Sequence, residues 1–278
     1  MDYNNIRLFW RFFALSLSDK RLFLLDMDGT IYLSDTLFDG TKDFLQYVKD
    51  VGGRYLFLTN NSSRGTEAYV QRLRRMGIDA VPEDFLTSAD ATIDYFARTD
   101  KDAVLYVCGT ESLKGQLRQA GLKVRDELCD EITTVLLGYD TELTYGKLET
   151  CCILLMRGAK YVATHPDLVC PVWYGSAPDC GSVINMLETA TGRRPLVIGK
   201  PQPEMAYLAM AKYGFSKAET CLMGDRLYTD IACGVNAGID TVFVLSGEGV
   251  MADIEKYGVH PTWILPNIRE VLNEITKT

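Results

Sequence analysis

The chain repeats one short pattern, in which an apolar run ends in polar residues and a helical segment follows. Residues 21–26 read RLFLLD, and residues 55–59 read YLFLT. The segment between them, 41–49, has apolar residues at helical spacing and is followed by two glycines. Continuous apolar runs of this length are typical of buried parallel strands. The first 60 residues therefore predict one strand–helix–strand unit.

The same pattern returns near the end of the chain. Apolar runs at 194–198, 220–223 and 241–245 lead into Gly-Lys-Pro, Gly-Asp and Ser-Gly, with helical segments between them. This rhythm predicts an α/β fold whose core is a Rossmann-like, doubly wound parallel sheet. Ligands of such sheets lie outside the carboxyl ends of the strands. The polar residues at the strand ends are therefore expected to converge on one site.

The middle of the chain predicts a second α/β unit. Segments 104–108, 132–137 and 161–164 have the pattern of strands, and segments 111–120 and 147–157 have the pattern of helices. The outer thirds of the chain each carry part of the expected site, which indicates that the middle is an insertion.

We expect a core domain of residues 1–88 and 195–278 and an inserted α/β cap domain of residues 89–194. Residues 1–20 form an extra N-terminal segment ahead of the first strand. Its aromatic-rich stretch, 6–17, faintly resembles a secretory signal, but Arg11 interrupts it and it is too short to span a bilayer. We interpret it as an additional helix.

The composition limits what the protein can bind. The formal net charge is −8, whereas nucleic acid and anionic membrane surfaces need clustered Lys and Arg, so we expect neither as a partner. The eight cysteines include no CxxC pair and no zinc-ligand spacing. We interpret them as buried thiols, which indicates a reducing, cytoplasmic location.

Two carboxylates follow the first predicted strand. Asp26 and Asp28 are separated by one residue, and Gly29 after them lets the chain turn sharply. A strand followed by an Asp-Gly turn is common where the two residues have no functional role. The two acids would also suit a nucleophile and a nearby proton carrier.

Polar residues that suit a phosphate group follow two other predicted strands. Thr59, Asn60 and Asn61 offer hydroxyl, amide and main-chain N–H donors, although such residues more often form a plain loop or a helix cap. Lys200 lies in the Gly-Lys-Pro segment, where a positive charge would neutralise a phosphate, although a single Lys is usually a solvated surface charge.

A second pair of acids follows the strand predicted at 220–223. Asp225 and Asp230 are five residues apart. Carboxylates at this place suit a hard cation that takes oxygen ligands. The alternative is a helix start, where acidic residues are favoured by the helix dipole.

The order of these groups resembles that of the haloacid dehalogenase superfamily of phosphohydrolases. The Asp pair, the Thr-Asn loop, Gly-Lys-Pro and Gly-Asp-x4-Asp follow one another, each at the end of a predicted strand, over nearly the whole chain from Leu22. The insertion lies between the Thr-Asn loop and the lysine. Five segments narrow the resemblance to the class IIA, NagD and p-nitrophenyl phosphatase subfamily: LFLTNNS (56–62), LTSA (86–89), GYD (138–140), ATHPD (163–167) and IGKP (198–201).

The resemblance implies a Mg2+-dependent phosphatase that hydrolyses small phosphate monoesters through an aspartyl phosphate. It implies sugar phosphates, nucleotides, phosphoglycolate or pyridoxal phosphate as substrates. Asp26 would be the nucleophile and Asp28 the general acid and base. The magnesium ligands would be the Asp26 carboxylate, the Asp28 carbonyl and Asp225, with Asp230 in support.

The resemblance also implies where the substrate is held. Thr59, Asn60, Asn61 and Lys200 would bind the phosphoryl oxygens. The cap motif of the subfamily often reads Thr-Asn-Pro-Asp, and this chain has a histidine in the Asn place. His165 and Asp167 are therefore candidates for contact with the leaving group, although a histidine in a loop is more often structural.

Two other functions stay open. A phosphotransferase would pass the same aspartyl phosphate to a sugar, but phosphomutase relatives carry a helical cap between the Asp pair and the Thr loop, and the 30 residues 29–58 leave no room for one. A non-catalytic binding or regulatory protein of the same fold would be favoured by loss of a signature residue, and none is lost. The implied partners are a small phosphorylated metabolite and, through the cap, a second copy in a homodimer.

Overall fold

A computed structural model describes residues 16–172 and 174–277 of the chain. Residues 6–15 of the predicted N-terminal helix lie outside the described residues. The chain divides into two compact units, a first unit of Met1–Tyr55 and Met210–Thr278 and a second unit of Leu56–Ala209. The predicted core and cap domains stay a prediction, because compactness alone does not assign substrate specificity to either unit.

The described residues contain fifteen strands, most of them short. In chain order they are β1 (Leu22–Leu25), β2 (Tyr32–Leu33), β3 (Thr36–Leu37), β4 (Arg54–Thr59), β5 (Phe85–Thr87), β6 (Val104–Cys108), β7 (Lys123–Arg125), β8 (Thr134–Leu137), β9 (Lys160–Ala163), β10 (Val169–Val172), β11 (Gly175–Pro178), β12 (Leu196–Val197), β13 (Thr220–Gly224), β14 (Asp240–Val244) and β15 (Trp263–Leu265).

The same part of the chain contains ten α-helices. In chain order they are α1 (Thr41–Asp50), α2 (Thr66–Arg75), α3 (Ser88–Thr99), α4 (Glu111–Gln119), α5 (Tyr145–Met156), α6 (Cys180–Thr191), α7 (Glu204–Tyr213), α8 (Ala232–Ala237), α9 (Asp253–Tyr257) and α10 (Ile268–Ile275). Two short 3-10 helices, Leu17–Asp19 and Pro82–Asp84, and one π-helix, Leu227–Ile231, complete the helical elements.

Four strands of the first unit form a parallel sheet in the order β15–β14–β13–β1. Leu25 of β1 lies beside Met223 of β13, so both strands end at the same edge. Every residue of β1 and β13 is buried, as expected of parallel strands that are covered on both faces. The strands predicted at 21–26, 220–223 and 241–245 are confirmed to within one residue.

The helix predicted at 41–49 is confirmed as α1. Its buried face includes Phe44, Leu45 and Val48, and the ring of Phe44 meets the ring of Phe23 in β1 edge-on, with 5.2 Å between centroids. The helix ends before Gly52, whose φ of +70° is the left-handed conformation that glycine adopts without strain. Helix α1 therefore packs on one face of the strand that precedes Asp26.

The second unit has its own five-stranded parallel sheet in the order β12–β9–β8–β6–β7. Strand β4 pairs in parallel with β5, and β10 and β11 form an antiparallel hairpin. The strands predicted at 104–108, 132–137 and 161–164 are confirmed as β6, β8 and β9, to within two residues. The helices predicted at 111–120 and 147–157 are confirmed as α4 and α5.

One predicted strand lies in a different sheet from the one expected. The pattern at 194–198 predicts a strand of the same sheet as β1, and the structure pairs this strand, β12, with β9 of the second unit. An apolar run with a polar end predicts a strand but not its partner, which depends on packing throughout the unit. The prediction is wrong on this point, and Lys200 follows a strand of the five-stranded sheet.

None of the eight cysteines, all of which lie in the described residues, forms a disulfide. The predicted burial is confirmed for five of them, Cys108, Cys151, Cys180, Cys221 and Cys233, and it is wrong for the half-buried Cys129, Cys152 and Cys170. In the described part of the chain, no helix combines the length and the apolar character needed to cross a membrane.

Candidate active site

Three carboxylates of the first unit lie close together. Asp26 follows β1, Asp225 follows the neighbouring parallel strand β13, and Asp230 lies in the π-helix. The ligand oxygens of the three side chains lie within 4.8 Å of one another. Asp225 and Asp230 are buried, and Asp26 is half-buried. The structure thus brings together three of the four acids for which the sequence predicts a metal-binding role.

Asp28, the fourth acid, lies in a tight turn. The N–H of Gly29 donates to the Tyr32 carbonyl at 2.8 Å, and the N–H of Thr30 donates to the Met27 carbonyl at 3.2 Å. Gly29 has a φ of +84°, which favours glycine. The side chain of Asp28 is exposed. An exposed carboxyl group can exchange protons with solvent, which suits the predicted proton carrier.

Asp225 is a buried acid that a positive partner would stabilise. Burial and the nearby charge of Asp230 raise the pKa of Asp225 to about 7. Its Oδ2 accepts a hydrogen bond from the N–H of Glu248 at 2.7 Å, but its Oδ1 is buried with no hydrogen-bond partner among the described residues. A divalent cation would complete this oxygen and offset the crowded negative charge. The donor set therefore fits a hard metal ion.

Three glycines leave the space that these carboxylates occupy. A Cβ atom on Gly29 would lie 2.4 Å from Oδ2 of Asp225, and one on Gly247 would lie 2.0 Å from the same oxygen. A Cβ atom on Gly224 would lie 2.3 Å from Cβ of Asp230. These distances are too short for real Cβ contacts. Any larger residue at these positions would displace a carboxylate.

The loop after β14 holds the site together through one side-chain hydroxyl and its main-chain N–H groups. The hydroxyl of Ser246 donates to the Gly29 carbonyl at 2.7 Å, and the N–H of Gly249 donates to the Asp225 carbonyl at 3.1 Å. The Ser-Gly end of this strand is visible in the sequence, but its pattern indicates no role. The available signal is its place after a strand, together with the Gly-x-Gly spacing.

Arg226 is a functional candidate that the sequence analysis does not identify. Its Nε lies 2.9 Å from Oε2 of Glu248, and its main-chain N–H donates to Oδ2 of Asp230 at 3.1 Å. Burial acts to lower the pKa of Arg226, but the charges of Asp26 and Glu248 outweigh this and raise the pKa above its ordinary value. Arg226 therefore stays charged and offsets part of the negative charge of Asp26.

The second unit brings together two of the residues predicted to bind phosphate. Oδ1 of Asn60 accepts a hydrogen bond from the N–H of Lys200 at 2.9 Å, and Nδ2 of Asn60 donates to the Lys200 carbonyl at 2.9 Å. The ammonium of Lys200 donates to the Leu58 carbonyl at 3.3 Å. The two side chains are buried. Residues 140 positions apart in sequence are thus fixed to one another.

The other two predicted residues form the loop itself. Oγ1 of Thr59 accepts from the N–H of Asn61 at 3.2 Å, and Oδ1 of Asn61 accepts from the N–H and the hydroxyl of Ser63 at 3.0 and 2.7 Å. The hydroxyl of Tyr69 donates to the Asn61 carbonyl at 3.4 Å. Burial raises the pKa of Tyr69 to about 12, so its hydroxyl stays a donor.

His165 and Asp167 lie in a cluster with Asp179. His165 is fully buried, with Nδ1 at 2.8 Å from Oγ1 of Thr164 and Nε2 at 2.9 Å from Oδ1 of Asp179. The carboxylate of Asp167 accepts from Nδ2 of Asn60 at 3.2 and 3.3 Å. Burial opposes protonation of His165, but the hydrogen bond to Asp179 and the charge of Asp167 raise its pKa. A contact between His165 and a substrate would break one of its ring hydrogen bonds.

Comparisons with known proteins agree on one family. A haloacid dehalogenase-like hydrolase model matches residues 23–123, and a HAD-hydrolase-like model matches residues 197–271. The acid sugar phosphatase of Staphylococcus aureus (strain USA300) is 34% identical over 257 residues, which are 92% of this chain and 98% of that protein.

Solved structures agree as well. The 4-nitrophenylphosphatase of Thermotoga maritima is 39% identical with a TM-score of 0.88, and the match covers 94% of this chain and 99% of that one. The glycerol phosphate phosphatase of Mycobacterium tuberculosis, solved in complex with calcium, is 30% identical with a TM-score of 0.84, and the match covers 92% of this chain and 76% of that one.

Parallel strands that end in clustered carboxylates define the fold as Rossmann-like α/β, and the comparisons define the class as a hydrolase. The chain belongs to the haloacid dehalogenase-like hydrolase family, and it is a phosphatase of that family. The resemblance to p-nitrophenyl phosphatases and the predicted fold class are both confirmed.

Proposed function

We propose that this phosphatase depends on Mg2+ and hydrolyses small phosphate monoesters through an aspartyl phosphate formed on Asp26. The observation that carries the proposal is the cluster of Asp26, Asp225 and Asp230, in which Oδ1 of Asp225 is buried without a partner. When bound by these acids, Mg2+ would neutralise the charge of the site and polarise a phosphoryl oxygen.

Asp26 and Asp28 take the two chemical roles. Asp26 would attack phosphorus from the end of β1, where Arg226 offsets part of its charge. Asp28 would protonate the leaving oxygen and later deprotonate the water that cleaves the aspartyl phosphate. Its exposed side chain supports that role, and its carbonyl is a further proposed metal ligand. Asp230, which accepts the N–H of Arg226, would hold the Asp225 segment in place.

Thr59, Asn60, Asn61 and Lys200 are proposed to bind the phosphoryl oxygens. The hydroxyl of Thr59 and the ammonium of Lys200 are donors of the kind that stabilise a transferring phosphoryl group. The side-chain amide of Asn60 is engaged at its oxygen and both donors, so Asn60 would contribute its main-chain N–H. The main-chain N–H of Asn61 is bonded to Thr59 and its Oδ1 to Ser63, so Asn61 would contribute its side-chain NH2 group.

The two alternative functions have less support. A non-catalytic binding protein would not need a cation site and a nucleophile together, and the proposed nucleophile Asp26 lies in the same carboxylate cluster as the proposed metal ligand Asp225. A phosphotransferase would use the same acids and differ only in the acceptor. The comparisons favour hydrolysis, because the similar proteins are named as phosphatases.

Sugar phosphates are the first substrate class to test, because the similar Staphylococcus protein is named an acid sugar phosphatase. Nucleotides, phosphoglycolate and pyridoxal phosphate stay candidates.

We also propose a homodimer paired through the second unit, which exposes large apolar side chains that include Tyr145, Met156, Leu168, Tyr174 and Met186. A cytoplasmic location is supported by the buried thiols.

Replacing Gly247 with alanine is expected to lower kcat/KM by about 10- to 100-fold and to raise the Mg2+ concentration needed for activity. The new Cβ would meet Oδ2 of Asp225 at 2.0 Å, so that carboxylate must move. The measurement is kcat/KM as a function of Mg2+ concentration. Gly115→Ala is the matched control, because a Cβ atom there meets nothing within 4 Å. Identical dependence of kcat/KM on Mg2+ concentration for Gly247→Ala and wild type would show that Gly247 does not have to leave space for the Asp225 carboxylate.

A phosphate-release screen tests the proposed function. The substrates are sugar phosphates, nucleoside monophosphates, phosphoglycolate and pyridoxal phosphate, each with and without Mg2+. We expect Mg2+-dependent release from at least one ester, and none from the Asp26→Asn variant, which controls for contaminating phosphatases. No release from any ester in Mg2+ would reject the proposal. Transfer to an added sugar in place of release would favour the phosphotransferase.

A further inference from the structure

We propose that Asp167, supported by the buried His165–Asp179 pair, is a positioning residue that fixes Lys200 through Asn60. This role replaces the contact with the leaving group that the sequence predicts for His165 and Asp167. The inference rests on the proposed function, because it takes Lys200 as a phosphoryl-binding residue.

The side-chain amide of Asn60 is fully engaged in hydrogen bonds. A primary amide has two N–H donors and one oxygen acceptor. One donor goes to the Lys200 carbonyl at 2.9 Å, the other goes to the Asp167 carboxylate at 3.2 and 3.3 Å, and the oxygen accepts the N–H of Lys200. The side chain of Asn60 therefore grips the main chain of Lys200 at two points and has no donor left for a phosphate.

Asp167 holds this amide at a third point. A carboxylate only accepts hydrogen bonds, so its contact with Nδ2 ties the Asn60 amide to segment 164–167. The main chain of Lys200 already requires this orientation of the amide, because a turned amide would place its oxygen against the Lys200 carbonyl and its NH2 group against the Lys200 N–H. Asp167 therefore anchors the amide and, through it, the main chain of Lys200.

The buried His165–Asp179 pair lies beside Asp167 and supports it. Ligand atoms of His165, Asp167 and Asp179 lie within 4.8 Å of one another. Two carboxylates at this distance would repel in a buried setting, and His165 lies with them, its Nε2 bonded to Asp179. Burial opposes a charge on His165, but Asp179 and Asp167 raise its pKa, which favours the imidazolium that balances them. Asp179 is also anchored as the N-cap of α6.

A tight main-chain contact joins Gly199, next to Lys200, to the segment that contains His165 and Asp167. The N–H of Gly199 donates to the Thr164 carbonyl at 2.8 Å. A Cβ atom on Gly199 would lie 2.6 Å both from that carbonyl oxygen and from Oδ1 of Asn60. The hydroxyl of Thr164 also meets the hydroxyl of Ser62 at 3.1 Å. These contacts couple three parts of the second unit, so a displacement of segment 164–167 also displaces the 60–62 loop and Lys200.

Asp167→Ala tests the proposal against a role in recognition of the leaving group. Loss of the carboxylate removes the anchor of the Asn60 amide, so Asn60 and the Lys200 main chain bonded to it can shift together. Such a shift is expected to cost on the order of 10²-fold in kcat/KM. The factor should be the same for p-nitrophenyl phosphate and for an aliphatic sugar phosphate, because both carry the same phosphoryl group. The inhibition constant of inorganic phosphate should rise as well.

Two further variants make the readout specific to positioning. Asp167→Asn keeps an oxygen that accepts from Asn60, so it should restore activity to within about tenfold of wild type. In a Lys200→Met background, Asp167→Ala should have little further effect, because its target is already lost. Asp102→Ala, in the same unit and highly exposed, is the control that should match wild type.

Three outcomes would overturn the inference. The first is a change of the ratio between the two substrates by more than about tenfold, which would show that Asp167 acts on the leaving group. The second is an Asp167→Ala effect of the same size with and without Lys200. The third is no loss in any Asp167 variant.

If Asp167→Ala does not fold, the substrate ratio of Asp167→Asn gives the same test. Failure of wild type to hydrolyse any ester would instead reject the proposed function, and phosphate binding by wild type and the variants would still test the grip on Lys200.

Discussion

Replacing Asp26 with asparagine is expected to abolish turnover, with a loss on the order of 10⁴-fold or more. An amide is too poor a nucleophile to attack phosphorus, and Asp26 is the acid at the end of β1 that lies with Asp225 and Asp230. The measurement is steady-state hydrolysis of p-nitrophenyl phosphate and of an aliphatic phosphate ester in saturating Mg2+.

Asp28→Asn is the matched control for Asp26→Asn. This variant keeps the nucleophile and the main-chain carbonyl at position 28, and it loses the proton carrier, which is typically worth about 10² to 10⁴ in rate. The loss should be smaller for p-nitrophenyl phosphate, whose leaving group departs without a proton, until breakdown of the aspartyl phosphate limits turnover. An Asp26→Asn variant that still turns over would reverse the assignment of the two acids.

Asp225→Asn is expected to lower kcat/KM on the order of 10³-fold and to weaken the response to Mg2+. A dianionic ester will not approach clustered carboxylates unless a cation lies between them. Chelation of metal by excess EDTA should have at least as large an effect on the wild type. The measurement is phosphate release as a function of Mg2+ concentration, for wild type and variant.

Thermal unfolding gives a second readout of the same site. Mg2+ should raise the Tm of the wild type, because a ligand that binds only the folded state stabilises it, and it should raise the Tm of Asp225→Asn much less. Asp130→Asn is the control, because this side chain is fully exposed. Full activity in EDTA, or an equal Mg2+ response of Asp225→Asn and wild type, would rule out the metal mechanism.

The carboxylate cluster could be predicted from the sequence because its parts follow directly from strand ends. Asp26 and Asp225 each come straight after an apolar run, and the carboxyl ends of neighbouring parallel strands meet at one edge of a sheet. The helix α1 could be predicted for a similar reason, since its buried face repeats at helical spacing. Local pattern and chain order were enough for these features.

Other features of the fold and the site could not be predicted, because they depend on contacts between segments that are distant in sequence. The grip of Asn60 on Lys200 joins residues 140 positions apart, and strand β12 has an ordinary apolar pattern that does not name its sheet. The loop at 246–249 acts largely through main-chain N–H groups, which every residue except proline has. Burial of His165 likewise comes from packing of the second unit, which a loop motif alone does not predict.

Single-turnover kinetics with acid quench, followed by mass analysis of the peptide that contains Asp26, tests the central claim most directly. Wild-type protein mixed with substrate and Mg2+ should show phosphate on Asp26 early in the reaction, and the label should decay as free phosphate appears. Asp28→Asn should accumulate the label on Asp26, because hydrolysis of the intermediate loses its base. Phosphate on Asp28, or turnover with no label on the protein at any time, would contradict the aspartyl phosphate mechanism.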